Sequence, residues 1–159
     1  TDINYAMLNA GRKRRDLQAR ASQLDWCVAN AESLPFPDHC ADFVTIAFGL
    51  RNVTDRQAAI DEAYRILKPG GRFLCLEFSH VENSTLARLY DRWSFDALPV
   101  MGQMFAGDRD SYRYLAESIR QFPAKEILAD MFAAGGFAQI RVRRLSAGIA
   151  CIHSGWKLD

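Results

Sequence analysis

A guanidinium and an amide, Arg51 and Asn52, lie just past an apolar run, Val44 to Phe48, in the sequence FVTIAFGLRNVTD (residues 43–55). The guanidinium is charged at every working pH and holds its donors in a fixed plane, and the amide both donates and accepts. Two further places hold groups suited to moving protons: His80, just past the next apolar run, and Asp110 with Tyr112 in DSYRYLAESI (residues 110–119). Imidazole titrates near neutrality, which makes His80 a candidate base, although a single histidine in a loop is more often simply exposed.

The elements that position these residues are readable around them. The run from Val44 to Phe48 is nearly continuous and includes β-branched residues, the pattern of a strand buried on both faces, and it stops at Gly49. The spacing predicts a helix over 54–67, opened by a T-x-x-Q capping box at Thr54 and Gln57, with Ala59, Ile60, Ala63, Tyr64, Ile66 and Leu67 along one face. Lys68, Pro69, Gly70 and Gly71 turn the chain, and RFLCLEF (residues 72–78) forms a second strand. Strand, helix and strand make a βαβ crossover with a parallel sheet. Arg51 and Asn52 then lie outside the carboxyl end of a central strand, where open α/β sheets bind their ligands.

Residues 1–4 read as the tail of a strand. A helix follows from Tyr5, with a basic run from Arg12 to Arg15 that suits either a solvated helix face or contact with phosphates or an anionic lipid surface. LDWCVA (residues 24–29) alternates as a short strand ending at Asn30, Ala31 and Glu32, and SLPFPDHCAD (residues 33–42) is loop. From about residue 84 to 122 the βα rhythm breaks: an aromatic helical stretch with Leu86, Tyr90, Trp93 and Phe105 precedes a second helix over 108–122. This insert reads equally as a lid or substrate wall and as packing on the sheet. Pro123 opens a helix that stops at Gly135 and Gly136. Two strands follow, 137–145 with Ile140 and Val142 inward, and 148–153; their short connection makes them an antiparallel hairpin.

The 159 residues amount to one domain or part of one, with an ordinary 49% hydrophobic and 25% charged composition. A net charge of +1 argues against a protein that lives by wrapping nucleic acid. No run of about eighteen apolar residues is present, so neither a membrane span nor a signal peptide is expected. Cys27, Cys40, Cys75 and Cys151 are scattered without CxxC spacing and read as buried thiols of a reducing compartment, not as zinc ligands or a disulfide framework.

A parallel sheet that closes on an antiparallel hairpin resembles the class I methyltransferase variant of the doubly wound, Rossmann-like α/β fold. The motifs resemble those of the UbiE-type C-methyltransferases of ubiquinone and menaquinone biosynthesis. They are DIN (2–4), NAESLPFPD (30–38), TIAFGLRNVTD (45–55), LKPGGR (67–72), LEFS (76–79), DSYRYLAESI (110–119) and AGIACIHSGWK (147–157), and together they cover nearly the whole chain. The Gly-rich turn that follows the first strand of such folds does not appear. Because the acidic ribose-binding residue normally lies about twenty residues after that turn, the resemblance implies a partial domain over 1–159 lacking its first βα unit. That unit, on the order of 30 residues, would include the middle strand of the sheet.

The resemblance implies S-adenosylmethionine as cofactor and a prenylated quinol as methyl acceptor. Asp2 would accept hydrogen bonds from the ribose hydroxyls, or else cap the helix after Asn4. Asn30 and Ala31 would meet the adenine edge, and Phe48 and Gly49 lie where cofactor and acceptor meet; Asn52, Trp93 and Tyr112 are the expected acceptor contacts. A ring carbon is a poor nucleophile until a ring hydroxyl begins to lose its proton, so the site must align the reactants and stabilise a developing phenolate. Arg51 is the candidate phenolate partner, or else an ion-pair partner of an acidic residue such as Asp55. His80, Tyr112 or Asp110 would take the proton.

The insert is apolar enough to accept a prenyl tail. With the basic run near Arg12, that implies a cytoplasmic enzyme peripheral at the inner membrane, or a matrix enzyme in a mitochondrion. The partners implied are a membrane surface, a quinone-biosynthesis complex and a second copy of the chain, with no nucleic acid. A noncatalytic methyltransferase-like subunit of such a complex, inactive for want of the glycine loop, is the rival reading. A nicotinamide dehydrogenase is disfavoured by the terminal hairpin and by the lack of a second nucleotide-binding half.

Overall fold

The computed structural model of the chain describes residues 1–14, 17, 21–79 and 109–159. Its sheet grows from the apolar runs. β1 (Ala41–Ala47) and β2 (Leu67–Phe78) pair in parallel, from Phe43 opposite Arg72 to Ala47 opposite Leu76. Ala41 already faces Leu67, so residues 68–71 loop out of the ladder, and Gly70 there adopts φ +79°, a conformation costly for any side chain. β3 (Ala138–Leu145) and β4 (Ala150–Trp156) form the expected hairpin around a 3₁₀ turn, Ser146–Gly148. The spatial order is β1-β2-β4-β3, with β4 antiparallel to both neighbours.

Four helices accompany the sheet among the described residues: α1 (Tyr5–Arg12), α2 (Arg56–Ile66), α3 (Arg109–Gln121) and α4 (Lys125–Ala134). β2 alternates as its sequence requires, with Phe73, Cys75 and Glu77 buried on the face that meets α2 and α4. Ile60, Ala63, Phe73, Leu128, Phe132 and Phe137 make the core there, and Phe73 stacks on Phe132 with ring centroids 4.9 Å apart. Full burial of each such side chain stabilises the fold by about 1.5–3 kcal/mol. None of the described helices is long and apolar enough to cross a membrane.

Several expectations need correction. The helix predicted from Thr54 begins at Arg56, and its cap is Asp55, whose carboxylate accepts from the Ala58 N–H at 3.0 Å. Glu32 explains the shift: its Oε1 accepts from the N–H groups of both Thr54 and Asp55 at 3.0 Å, leaving Gln57 to bond Asp61 and the Met131 carbonyl. Pro123 precedes α4 and its Ala124 cap instead of opening the helix. Residues 24–29 contribute a single parallel bridge, Asp2 with Val28. β1, expected at the centre, is an edge of the described sheet. Val142 is 37% exposed because β3 is the other edge, whereas Ile140 does pack on the core. Of the four free thiols, Cys75 and Cys151 are buried, Cys27 is half-buried and Cys40 is exposed. His80, Trp93 and the insert up to residue 108 lie outside the described residues.

Candidate functional site

A cleft of about 530 Å³ separates the outer edge of β1 from the bridged segments around Asp2 and Val28. Four consecutive β1 residues, Val44 to Ala47, form one wall; residues 1–3 and 29–32 form the other, and Gly49, Leu50 and Asn52 close one end. The side along Val44 to Ala47 is the unpaired edge of β1, where the resemblance implies a further strand, so the cleft's volume is not that of a ligand site; the end closed by Gly49, Leu50 and Asn52 lies past the carboxyl end of β1, where α/β sheets bind ligands.

Asp2 lies on this cleft with its backbone tied on both sides of Val28: its N–H donates to the Cys27 carbonyl at 3.3 Å, and its carbonyl accepts from the Ala29 N–H at 3.1 Å. Its Oδ1 accepts from the Asn4 N–H at 2.8 Å. The helix cap itself is Asn4, whose Oδ1 accepts from the N–H groups of Ala6 and Met7. Asp2 therefore supports the helix entry with one oxygen, and nothing among the described residues engages Oδ2.

Asn30 folds its Oδ1 back onto the Glu32 N–H at 3.1 Å, an Asx turn that leaves its amide hydrogens as its side-chain offer to a ligand. Ala31 packs against the core beside it. The loop is then fastened to α2. Besides the Glu32 cap, Glu62 Oε2 accepts from the Leu34 N–H at 2.7 Å. Arg65 donates to Glu62 at 2.7 Å, to Asp38 at 2.6 Å, and to the carbonyls of Leu34 and Phe36. The hydrogen bond from Arg65 is the largest influence holding the Glu62 carboxyl below its usual range, with burial opposing it.

After β1 the chain makes a strained corner. Phe48 has φ +53°, an uncommon value for a side chain of that bulk, and its N–H still pairs with the Leu76 carbonyl at 2.9 Å. The corner is fixed by Arg51, whose Nη1 donates to the Phe48 carbonyl and, at 3.3 Å, to both oxygens of Glu77. The Arg51 N–H and the Phe78 N–H also donate to that carboxylate, at 3.2 and 3.1 Å. Glu77 is 1% exposed. The Phe78 ring lies 5.5 Å from the guanidinium carbon and 4.7 Å from the Phe48 ring. Arg51 thus has an ion-pair partner, and it is Glu77; Asp55 is occupied as a helix cap.

Asn52, on the same turn, accepts at Oδ1 from the Tyr114 hydroxyl at 3.1 Å. Further along, Arg56 donates to the Arg51 carbonyl at 3.4 Å and lies over the Phe122 ring, so α3 and the residue that follows it are held against the turn. The side chain of Tyr112 is outside the described residues.

Asp2, Asn30, Ala31, Gly49 and Asn52 therefore share one cleft, and Phe48 and Arg51 belong to the turn that closes it. Glu77 and Tyr114 are the participants that sequence reasoning missed. A carboxylate at an inward position of a buried strand needs a partner, which is the signal Glu77 offered.

The model of the ubiE/COQ5 methyltransferase family matches residues 1–157. The chain is 56% identical over 158 residues to the ubiquinone/menaquinone biosynthesis C-methyltransferase UbiE of Acidiphilium cryptum, covering 99% of this chain and 64% of that protein. It is 53% identical over 157 residues to the UbiE of Bartonella bacilliformis, covering 99% of this chain and 60% of that protein. The chain thus spans less than two thirds of the length of these relatives. Among solved structures, it superposes on a SAM-dependent methyltransferase from Thermotoga maritima with a TM-score of 0.62 at 23% identity, covering 91% of this chain and 69% of that one. For a SAM-dependent methyltransferase from Aquifex aeolicus the TM-score is 0.62 at 13% identity, covering 98% and 65%. These likenesses establish the Rossmann-like methyltransferase fold that the hairpin implied. The match over nearly every residue, with more than half of them identical to a curated relative, places this chain in the ubiE/COQ5 methyltransferase family.

Proposed function

We propose that the chain carries part of the cofactor and acceptor site of an S-adenosylmethionine-dependent enzyme that C-methylates a prenylated quinol ring in ubiquinone or menaquinone biosynthesis. The observation that carries this reading is that Asp2, Asn30, Gly49 and Asn52 sit together past the ends of the Asp2–Val28 bridge and of β1, the side on which α/β sheets bind ligands. Its donor set fits the cofactor: a free carboxylate oxygen at Asp2 suits a ribose diol, and amide hydrogens at Asn30 suit a ring nitrogen of adenine. When bound, S-adenosylmethionine supplies a methyl group on a positively charged sulfur.

The chain's own residues do the rest. Glu32, Glu62 and Arg65 hold the loop that carries Asn30. Asn52, steadied by Tyr114, orients the acceptor, and Arg51, locked in place by Glu77, acts as a hydrogen-bond donor, directly or through a water, to the oxygen that gains charge as the ring carbon becomes nucleophilic. Arg12 and Lys13 are exposed at the end of α1, which suits work at an anionic membrane surface.

The test belongs to a protein of the relatives' full length carrying these residues. It should bind S-adenosylmethionine in calorimetric titration and methylate a prenylated quinol. Arg51→Ala should abolish methylation while cofactor binding persists; an equal loss of both would remove Arg51 from the chemistry. Failure of the parent protein to methylate any quinol would refute the reading.

A further inference from the structure

The Arg51–Glu77 pair is an unusual thing to bury at the rim of a cleft. Apolar residues of the same volume stabilise a fold as well as or better than a buried ion pair, so stability alone does not account for it. Its geometry is specific. Glu77 stands at the carboxyl end of β2, and three nitrogens converge on it: the Arg51 backbone, the Arg51 guanidinium and the Phe78 backbone. Arg51 is confined in turn, with its side chain 12% exposed, one face toward the Phe78 ring and Nη1 shared between Glu77 and the Phe48 carbonyl. The residues on either side of it in the turn, Leu50 and Asn52, line the cleft.

Without Glu77 the turn would place a permanent positive charge beside the cleft. A neutral ligand would be little affected; a cationic ligand would be repelled across a poorly screened distance. We propose that Glu77 is a positioning residue whose carboxylate both fixes Arg51 and cancels its charge, so that the cleft tolerates a cationic ligand beside a guanidinium. This rests on the function proposed above, because it takes that cation to be the sulfonium of S-adenosylmethionine. S-adenosylhomocysteine has the same shape without the methyl group and carries no charge on sulfur, so the pair of ligands isolates the electrostatic role from the steric one.

The experiment is calorimetric titration of the full-length protein with each ligand at low ionic strength. Glu77→Gln should weaken S-adenosylmethionine relative to S-adenosylhomocysteine by roughly fivefold or more, while Glu77→Asp keeps the parent ratio. The double variant Arg51→Met with Glu77→Gln, which removes both charges, should restore that ratio. Should Glu77→Gln fail to fold, Arg51→Met alone decides: it leaves the carboxylate unpaired and should shift the ratio the opposite way, toward the cation. An unchanged ratio in Glu77→Gln, or in Arg51→Met where Glu77→Gln does not fold, or equal weakening of both ligands there, overturns the role of Glu77 and leaves the proposed function standing. Failure of the parent protein to bind either ligand would instead bring down the functional reading, and this inference with it.

Discussion

Tyr114 donates its hydroxyl proton to Asn52 Oδ1 across 3.1 Å, joining α3 to the turn that leaves β1 although the two residues are 62 positions apart. One hydrogen bond therefore couples α3 to the end of the cleft. Tyr114→Phe deletes only that bond. A neutral hydrogen bond is worth about 0.5–1.5 kcal/mol, so on the function proposed above the KM for the methyl acceptor should rise about two- to tenfold with little change in cofactor affinity. Steady-state kinetics with each substrate varied in turn would check this, and a rise confined to the cofactor would reassign Tyr114 to the other half of the site.

Asp2 divides its carboxylate between the Asn4 N–H and the cleft. Asp2→Asn keeps an oxygen for Asn4 and loses the anionic acceptor, whereas Asp2→Ala loses both. Cofactor affinity should drop in both variants, and Ala alone should also loosen the start of α1. Calorimetry paired with thermal melts separates the two effects; an unchanged affinity would remove Asp2 from the site.

Arg65 gathers Glu62, Asp38 and two loop carbonyls, the last two supplied by Leu34 and Phe36. Arg65→Ala should lower the thermal stability of the protein, because it releases the 34–38 loop from α2. The clamp also gives a pH dependence. Glu62 is held below its ordinary value of 4.5 in the folded state, so its stabilising contribution is full above that pH and is lost as the pH falls through the lowered value. Urea titrations at pH 7 and in acid should show the variant losing less on acidification than the parent, and parallel losses would exclude Glu62 as the source.

His153 is buried between β4 and the start of α4, with Nε2 donating to the Lys125 carbonyl at 2.8 Å and no partner for Nδ1 among the described residues. Burial is the largest influence and holds the imidazole below its ordinary 6.5, against the pull of the Lys125 carbonyl and Glu126. The unfolded chain takes up a proton at about pH 6.5 that the folded chain refuses. Stability is therefore full above that pH and declines as the pH drops toward the folded value. His153→Gln should flatten the dependence between pH 7.5 and 5.5 in denaturant unfolding; an unaltered slope would remove His153 as its source.

The strands and the crossover were legible because period-2 burial and the KPGG turn are local signals. The hairpin was legible because its connection is short. The cap of α2 was misjudged by one residue, since Thr54 and Asp55 both have cap-forming side chains, and the choice is made by Glu32, more than twenty positions away. The same blindness hid Glu77: LEF reads as strand, and only the tertiary fold brings Arg51 to it. Asn30, Gly49 and Asn52 were singled out because each stands past an apolar run, and strand ends are where an α/β sheet exposes its ligand-binding groups, whereas Asp2 was singled out by the resemblance that DIN carries.

β4 lies between β2 and β3, and among the described strands β3 reaches the sheet only through it. During synthesis β3 emerges before the strand it depends on. It has no neighbour to pair with until the ribosome has made residues 150–156, and the two must then join β2 as a preformed unit. Chaperones would meet this chain with Arg141 and Arg143 exposed on the waiting edge, charges that deter pairing with a stranger until its own partner strand arrives.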